Sequence, residues 1–122
     1  MTHEQQTEPG VIVSRKTAEH YIWGGACDGW YLVQASGLSV IEERMPPDSS
    51  EIRHHHQLSR QFFYALAGEL TLEVEDHEYV LRPGEGLEVH PGQKHQAINR
   101  GQSDARMLVI SQPPSHGDRV DD

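Results

Sequence analysis

Residues 46–68 read PPDSSEIRHHHQLSRQFFYALAG, and the expected architecture and chemistry both start from this segment. Three consecutive histidines lie between a Pro-Pro-Asp turn signal and an apolar run rich in aromatic residues, a context typical of extended chain. Side chains alternate between faces along a strand, so His54 and His56 point one way and His55 the other. The Cβ atoms of His54 and His56 then lie about 6–7 Å apart, within reach of one metal ion. The segment therefore predicts the first half of a metal site.

The rest of the chain predicts short β-strands and very little helix. Apolar residues recur at the two-residue spacing of strands and nowhere at the 3.6-residue spacing of helices. Proline and glycine turns separate these stretches. The expected strands cover residues 11–13, 30–33, 38–45, 61–67, 69–75, 77–82, 87–90, 95–99 and 104–112. This number of short strands predicts an all-β sandwich or barrel.

The length of 122 residues predicts one domain. Only 35% of the residues are hydrophobic, but they concentrate between residues 30 and 110, which favours a folded centre with polar ends. We expect a flexible lead-in over residues 1–10, the β-domain over 11–112 and a polar, partly ordered tail over 113–122.

Charge and composition limit the classes of partner that the protein could bind. The formal net charge of −9 makes binding to nucleic acid or to anionic lipid unfavourable. The longest apolar run, residues 62–67, is far shorter than the about 20 residues that span a bilayer. The single cysteine, Cys27, rules out an internal disulfide bond, and the N-terminus has no apolar signal core. We therefore expect a cytoplasmic protein that binds neither nucleic acid nor a membrane.

A second unit, Gly84-x5-His90-x-Gly92-x2-His95-x3-Asn99, supplies the other half of the site. It lies roughly 40 residues after His56 and reads as strand, turn, strand. The earlier segment, which runs His-x-His-x4-Gln-x6-Gly, resembles the first motif of the cupin superfamily, and residues 84–99 resemble the second. The resemblance to small single-domain cupins covers roughly residues 30–112.

The cupin resemblance implies a double-stranded β-helix, or jelly roll, around a cavity that holds one divalent transition metal ion (iron, manganese, nickel or zinc). Carried over by position, the metal ligands are His54, His56, Gln61 and His95. Phe63 and Ala65 share the strand parity of Gln61 and are therefore expected in the substrate pocket.

Two positions depart from the family pattern. Position 61 is usually glutamate, and here it is glutamine; position 90 is usually proline, and here it is histidine followed by Pro91. An amide leaves a bound divalent ion with a charge of about +2 instead of about +1 and is the weaker ligand. We expect looser metal binding and a stronger pull on anionic substrate oxygens. Gln61 either ligates weakly through its oxygen or hydrogen-bonds substrate or water.

The polar residues outside the predicted ligand set are interpreted mainly as surface residues. His55 faces away from its neighbours and is expected at the surface or in a subunit contact, and the remaining histidines, such as His116, at the polar surface. His90 could add a polar group near the site. The glutamates among residues 69–75 alternate with Leu70, Leu72 and Val74, which predicts a solvated sheet face rather than an acid–base pair. No positioned general base is visible.

Two functions of different classes remain. A small metalloenzyme would act on a substrate that chelates through oxygen, such as an enol, a diketone or a sugar acid. Iron would make it a dioxygenase, and a redox-silent ion an isomerase or lyase. The alternative is a non-catalytic module that uses the metal to bind or sense a small molecule. In either case a homodimer is expected, because aromatic side chains that the core does not need could form a subunit interface on an outer sheet face.

Overall fold

The computed structural model describes residues 6–122, which fold into two antiparallel β-sheets. The strands are β1 (Glu19–Trp23), β2 (Cys27–Ala35), β3 (Leu38–Met45), β4 (Ser49–Ser50), β5 (His54–His56), β6 (Arg60–Ala67), β7 (Leu70–Val74), β8 (His77–Leu81), β9 (Gly86–Val89), β10 (His95–Asn99), β11 (Ala105–Gln112) and β12 (Arg119–Asp121). Within residues 6–122 no helix is long and apolar enough to cross a membrane.

Strands that are distant in sequence become neighbours in both sheets. The first sheet has the order β1-β2-β3-β11-β6-β9, and the second has the order β12-β5-β10-β7-β8 with β4 also paired to β10. The chain passes from one sheet to the other and back, as it does in a jelly roll. The predicted all-β, double-stranded β-helix is therefore confirmed.

The core lies between the two sheets and follows the strand alternation. Leu70, Leu72 and Val74 point inward from β7, as predicted, and pack in one buried cluster with Met45 and Met107 of the other sheet. Burying each such side chain contributes about 1.5–3 kcal/mol. This cluster fixes the separation of the sheets and hence the position of the residues that line the space beside it.

The outer face of β7 is covered in its middle, which corrects part of the prediction of a solvated face; Glu69 and Glu75, at its two ends, are exposed as predicted. Thr71 and Glu73 point outward but are only 5% and 9% exposed. Arg53 donates from Nε and Nη2 to the two Glu73 carboxylate oxygens at 2.8 and 3.0 Å. Strand alternation gave the correct direction of these side chains, but it carries no information about a distant residue that packs over them.

The ends of the domain also differ from the sequence expectation. Residues 11–13 are exposed and form no strand, whereas β1 pairs with β2 through a turn in which Gly24 and Gly25 have positive φ. At the other end, β12 falls within the segment expected as a tail and pairs with β5. The expected lead-in over residues 1–10 lies partly outside the described residues.

Candidate metal centre

The three predicted histidines meet between β5 and β10. The register pairs His54 directly with His95, and His56 lies two residues further along β5 on the same face. One ring nitrogen from each histidine lies within 4.8 Å of the others, and the three residues are 1–5% exposed. Among the described residues, these three side chains form a group that could hold a metal ion.

Each imidazole is oriented by a backbone carbonyl. His54 Nδ1 lies 2.7 Å from the carbonyl oxygen of Ile52. His56 Nδ1 lies 3.3 Å from the carbonyl oxygen of Asp118, and His95 Nδ1 lies 3.0 Å from the carbonyl oxygen of Gln93. Because a carbonyl oxygen only accepts hydrogen bonds, each Nδ1 carries the proton and donates it. Each Nε2 therefore keeps its lone pair, the form in which histidine binds metals.

Burial keeps these histidines neutral. It lowers the pKa of His54 to about 3 and that of His56 to about 4, and it holds the pKa of His95 below its usual value. Positive charge on one ring would also disfavour charge on the next, because the ring centroids are 4.4–5.7 Å apart. At neutral pH the cluster offers three uncharged nitrogen donors.

Two buried polar atoms are left without a hydrogen-bond partner among residues 6–122, and both belong to predicted ligands. They are Nε2 of His95 and Oε1 of Gln61. Gln61 is 5% exposed, and its Nε2 donates to Ser111 Oγ at 3.0 Å, which leaves the oxygen as its unused end. A buried polar group without a partner costs about 1–3 kcal/mol. A cation bound at the cluster would satisfy such atoms, so these residues fit a metal ion.

A cavity of about 300 Å³ adjoins the cluster. His54, His56 and Gln61 line it, and so does Phe63. Ala65 does not; it is fully buried in the core cluster instead. Trp23, Ile41 and Val109 add apolar surface. A small molecule bound in this cavity would therefore lie beside the candidate metal site.

Sequence analysis missed two carboxyl groups in this cavity, those of Glu43 and Glu51. The Tyr21 hydroxyl donates to Glu43 Oε2 at 3.4 Å, and the Ala97 N–H donates to Glu51 Oε1 at 3.0 Å. Burial, and the charge of Glu51 next to it, raise the pKa of Glu43 to about 8; burial raises that of Glu51 to about 7. Both groups therefore change protonation near neutral pH, as acid–base catalysts do.

The sequence did carry a signal for Glu43. It shares its strand parity with Ile41 and Met45, which are buried on the inner face of β3. An acidic residue on an apolar strand face is a candidate site residue. Glu51 offered no comparable signal, because it lies outside the strands in the turn region before β5.

The C-terminal segment, residues 113–122, forms one wall of the cavity. His116 and Arg119 line it, and His116 also contacts the Tyr31 hydroxyl. The Asp118 backbone oxygen orients His56, while its carboxylate accepts three N–H bonds from residues 57–59 at 2.8–3.0 Å. His116 is therefore a cavity residue and not simply part of the polar surface.

The other two histidines of the motifs lie away from the cluster. His55 points to the opposite side of β5, where its Nδ1 lies 2.9 Å from an Asp122 carboxylate oxygen. The His90 side chain is 66% exposed and lies 3.9 Å from Glu88. Neither is among the residues that line the cavity.

Comparison with known proteins agrees with this geometry. The family model described as the cupin domain matches residues 41–111. The tetracenomycin polyketide synthase protein TcmJ of Streptomyces glaucescens is 33% identical over 69 residues, which cover 57% of this chain and 46% of that protein. The chain spans about half to two thirds of the length of the curated relatives it matches.

Solved structures show the same fold. An RmlC-like cupin from Shewanella frigidimarina has a TM-score of 0.81 at 20% identity, with 92% of this chain and 96% of that chain covered. The polyketide cyclase RemF from Streptomyces resistomycificus has a TM-score of 0.74 at 22% identity, with 85% and 82% covered. At these identities the similarity extends to the fold alone.

Proposed function

We propose a function for this chain on one premise: it belongs to the cupin domain family. The proposed function is that of a metal-dependent enzyme that moves a proton within a small oxygen-chelating substrate, as isomerases and lyases do. One observation carries it: the cavity beside the three-histidine cluster also holds the carboxyl groups of Glu43 and Glu51. A metal site and acid–base groups in one cavity are the two parts that this chemistry requires.

The metal ligands in this proposal are Nε2 of His54, His56 and His95 together with Oε1 of Gln61. The fixed Nδ1–H bonds of the imidazoles and the unpartnered Gln61 oxygen support the assignment. Three nitrogen donors and one oxygen donor suit a divalent transition ion such as iron, manganese, nickel or zinc. When bound, such an ion would polarise a chelated substrate carbonyl as a Lewis acid.

Glu43 carries the proton in this proposal. Its carboxylate takes the proton from the carbon next to the chelating carbonyl and returns it to a neighbouring substrate atom. The Tyr21 hydroxyl fixes the position of Oε2, and the pKa of about 8 makes Glu43 a stronger base than an ordinary carboxylate.

Hydrogen–deuterium exchange on hydroxyacetone tests the proposal. This neutral compound chelates through two oxygens and has exchangeable C–H groups beside its carbonyl. Zinc-, nickel- or manganese-loaded protein in D₂O should accelerate loss of the C–H signals in NMR spectra. The His54→Ala variant should lose both bound metal and exchange, whereas Glu43→Gln should lose exchange and keep the metal.

The exposed Glu69→Gln variant is the matched control and should behave as wild type, because its side chain is 53% exposed and faces Arg82. Metal binding without exchange in any loaded form would refute the isomerase or lyase assignment. Oxygen uptake by the iron-loaded protein would favour a dioxygenase.

We also propose a cytoplasmic homodimer. Leu38, Phe62 and Ile110 line one shallow groove on the outer face of the first sheet, where Leu38 and Phe62 are 37% and 38% exposed. Pairing of this face would remove the apolar surface from water. Sedimentation equilibrium measures the mass, and a Phe62→Glu variant should shift a dimer towards monomer.

A further inference from the structure

The cavity beside the histidine cluster has a second polar region that the metal site does not use. Glu43 Oε2 receives a hydrogen bond from Tyr21, and Glu51 Oε1 receives one from the Ala97 N–H. Within residues 6–122, no donor bonds to the other oxygen of either carboxyl group. We call Glu43, Glu51 and Tyr21 the carboxylate wall.

A buried side chain outside the carboxylate wall also indicates a binding site in this cavity. Gln61 lines the cavity and is only 5% exposed, yet its Oε1 has no hydrogen-bond partner among the described residues. The Nε2 atom of the neighbouring His95 is also buried and unpartnered. Trp23 and Phe63 provide ring surfaces in the same lining. The lining thus combines a buried amide oxygen that a bound ion or ligand could satisfy with flat apolar surface, as small-molecule sites do.

The charges of the lining discriminate against anions. Arg119 is the one lysine or arginine among the described residues that line this cavity. Its Nε already donates to Asp121 Oδ1 at 2.8 Å, and its Nη2 lies 3.4 Å from the Ile52 carbonyl oxygen. Above pH 8, where both carboxyl groups are ionised, a phosphate or carboxylate group placed against Glu43 and Glu51 would meet like charge. A hydroxyl group would instead donate a hydrogen bond to a carboxylate oxygen.

We propose that the carboxylate wall binds hydroxyl groups of an uncharged ligand, a polyol or a polyphenol, and thereby rejects analogues that carry an anionic group at that end. The inference deepens the proposed function and rests on it for the chelating end of the ligand. The volume of about 300 Å³ limits the ligand to a small molecule such as a short sugar or a hydroxylated aromatic ring.

Two pairs of probes test the proposal, and the members of each pair differ at one group. The polyol pair is dihydroxyacetone and dihydroxyacetone phosphate; the phenol pair is 1,2,4-benzenetriol and 3,4-dihydroxybenzoate, handled without oxygen. Dissociation constants are measured by NMR titration of zinc-loaded and of metal-free protein at pH 8.5. In at least one pair the hydroxyl member should bind about tenfold more tightly than the anionic member. The pair that shows this preference identifies the ligand as polyol or polyphenol.

A charge-neutral variant supplies the decisive comparison. The double variant Glu43→Gln, Glu51→Gln keeps the shape of the wall and removes its charge, so the preference should vanish or reverse. Glu69→Gln, outside the cavity, should keep it. Equal or tighter binding of the anionic members in wild type, or an unchanged preference in the double variant, overturns the proposal. Failure of wild type to retain zinc overturns the proposed metal-dependent function instead, and the metal-free titrations still decide the selectivity.

Discussion

Replacing Asp118 by alanine should destabilise both the fold and the metal site. The Asp118 carboxylate accepts N–H bonds from Gln57, Leu58 and Ser59 at 3.0, 2.9 and 2.8 Å, and so holds the loop that follows β5. These bonds hold the pKa of Asp118 below its usual value, although burial alone would raise it. Each hydrogen bond to a charged group contributes about 1.5–3 kcal/mol, and less where water can replace it.

The loop N–H groups of residues 57 and 58 are open to water, so we expect a total loss of about 2–4 kcal/mol rather than the full sum. At about 4 °C per kcal/mol for a domain of this size, Tm should fall by roughly 8–15 °C. The Asp118 carbonyl also orients the ring of His56. The variant keeps this backbone carbonyl, but the released segment no longer holds it in place, and displacement of such a supporting contact lowers metal affinity by about 10–100-fold.

Differential scanning calorimetry and zinc titration against a competing chelator measure the two effects. Asp104→Ala is the matched control, because Asp104 is 49% exposed and makes one ion pair, with Arg44 at 3.2 Å. Exposed pairs of this kind contribute about 0.2–1 kcal/mol. If Asp118→Ala melts within a few degrees of Asp104→Ala and binds zinc like wild type, the C-terminal segment does not support the site in the way described.

Three further predictions concern charge and backbone geometry. Folding raises the pKa values of Glu43 and Glu51, so the stability that these groups contribute is fully present below pH 4.5 and is lost as the pH rises through about 7 for Glu51 and about 8 for Glu43. In urea unfolding of the metal-free protein, the free energy of unfolding should fall by up to about 1.4 kcal/mol per pH unit for each group. Gln61→Glu should tighten metal retention during dialysis against a chelator, and unchanged retention would argue against ligation through Oε1. Gly68→Ala should cost more than about 3 kcal/mol, because φ is +70° and the added Cβ would lie 2.2 Å from a backbone oxygen; Gly92→Ala, with φ +85° and open space, should cost about 1–2 kcal/mol in the same unfolding assay.

The parts of the fold that could be predicted from the sequence are those set by local alternation and by turn residues. The segment 38–45 coincides with β3, and 95–99 coincides with β10. Alternation also gave the inward direction of Leu70 and Leu72. Contacts between distant segments could not be read in this way. The cover that Arg53 places over Glu73 and the pairing of β12 with β5 both depend on the closed tertiary structure.

The candidate site likewise has a part that the sequence predicts and a part that depends on the tertiary structure. Histidines in an alternating pattern on one strand imply their own convergence, and the sheet register then brings His95 opposite His54. The carboxyl groups of Glu43 and Glu51 belong to neither motif, and they reach the cavity from β3 and from the turn before β5. A sequence motif identifies residues within one short stretch of chain. A cavity is lined by residues from several strands and turns, and the structure is needed to show which residues these are.

The placement of charge links the unusual glutamine to the proposed ligand. Gln61 contributes no negative charge to the cluster, and the sequence alone therefore predicted a stronger pull on anionic substrates. The cavity, however, contains two carboxyl groups that the motif does not include, those of Glu43 and Glu51. These two carboxyl groups would lie beside the ligand and not in the coordination sphere of a bound cation, and from there they would offset the charge of the cation. Because charge interactions weaken with distance, a cation placed this way still attracts a chelating oxygen, while the far end of the ligand meets acceptors and not cations. In this proposal the position of the carboxylates, beside the ligand rather than at residue 61, therefore determines the ligand class.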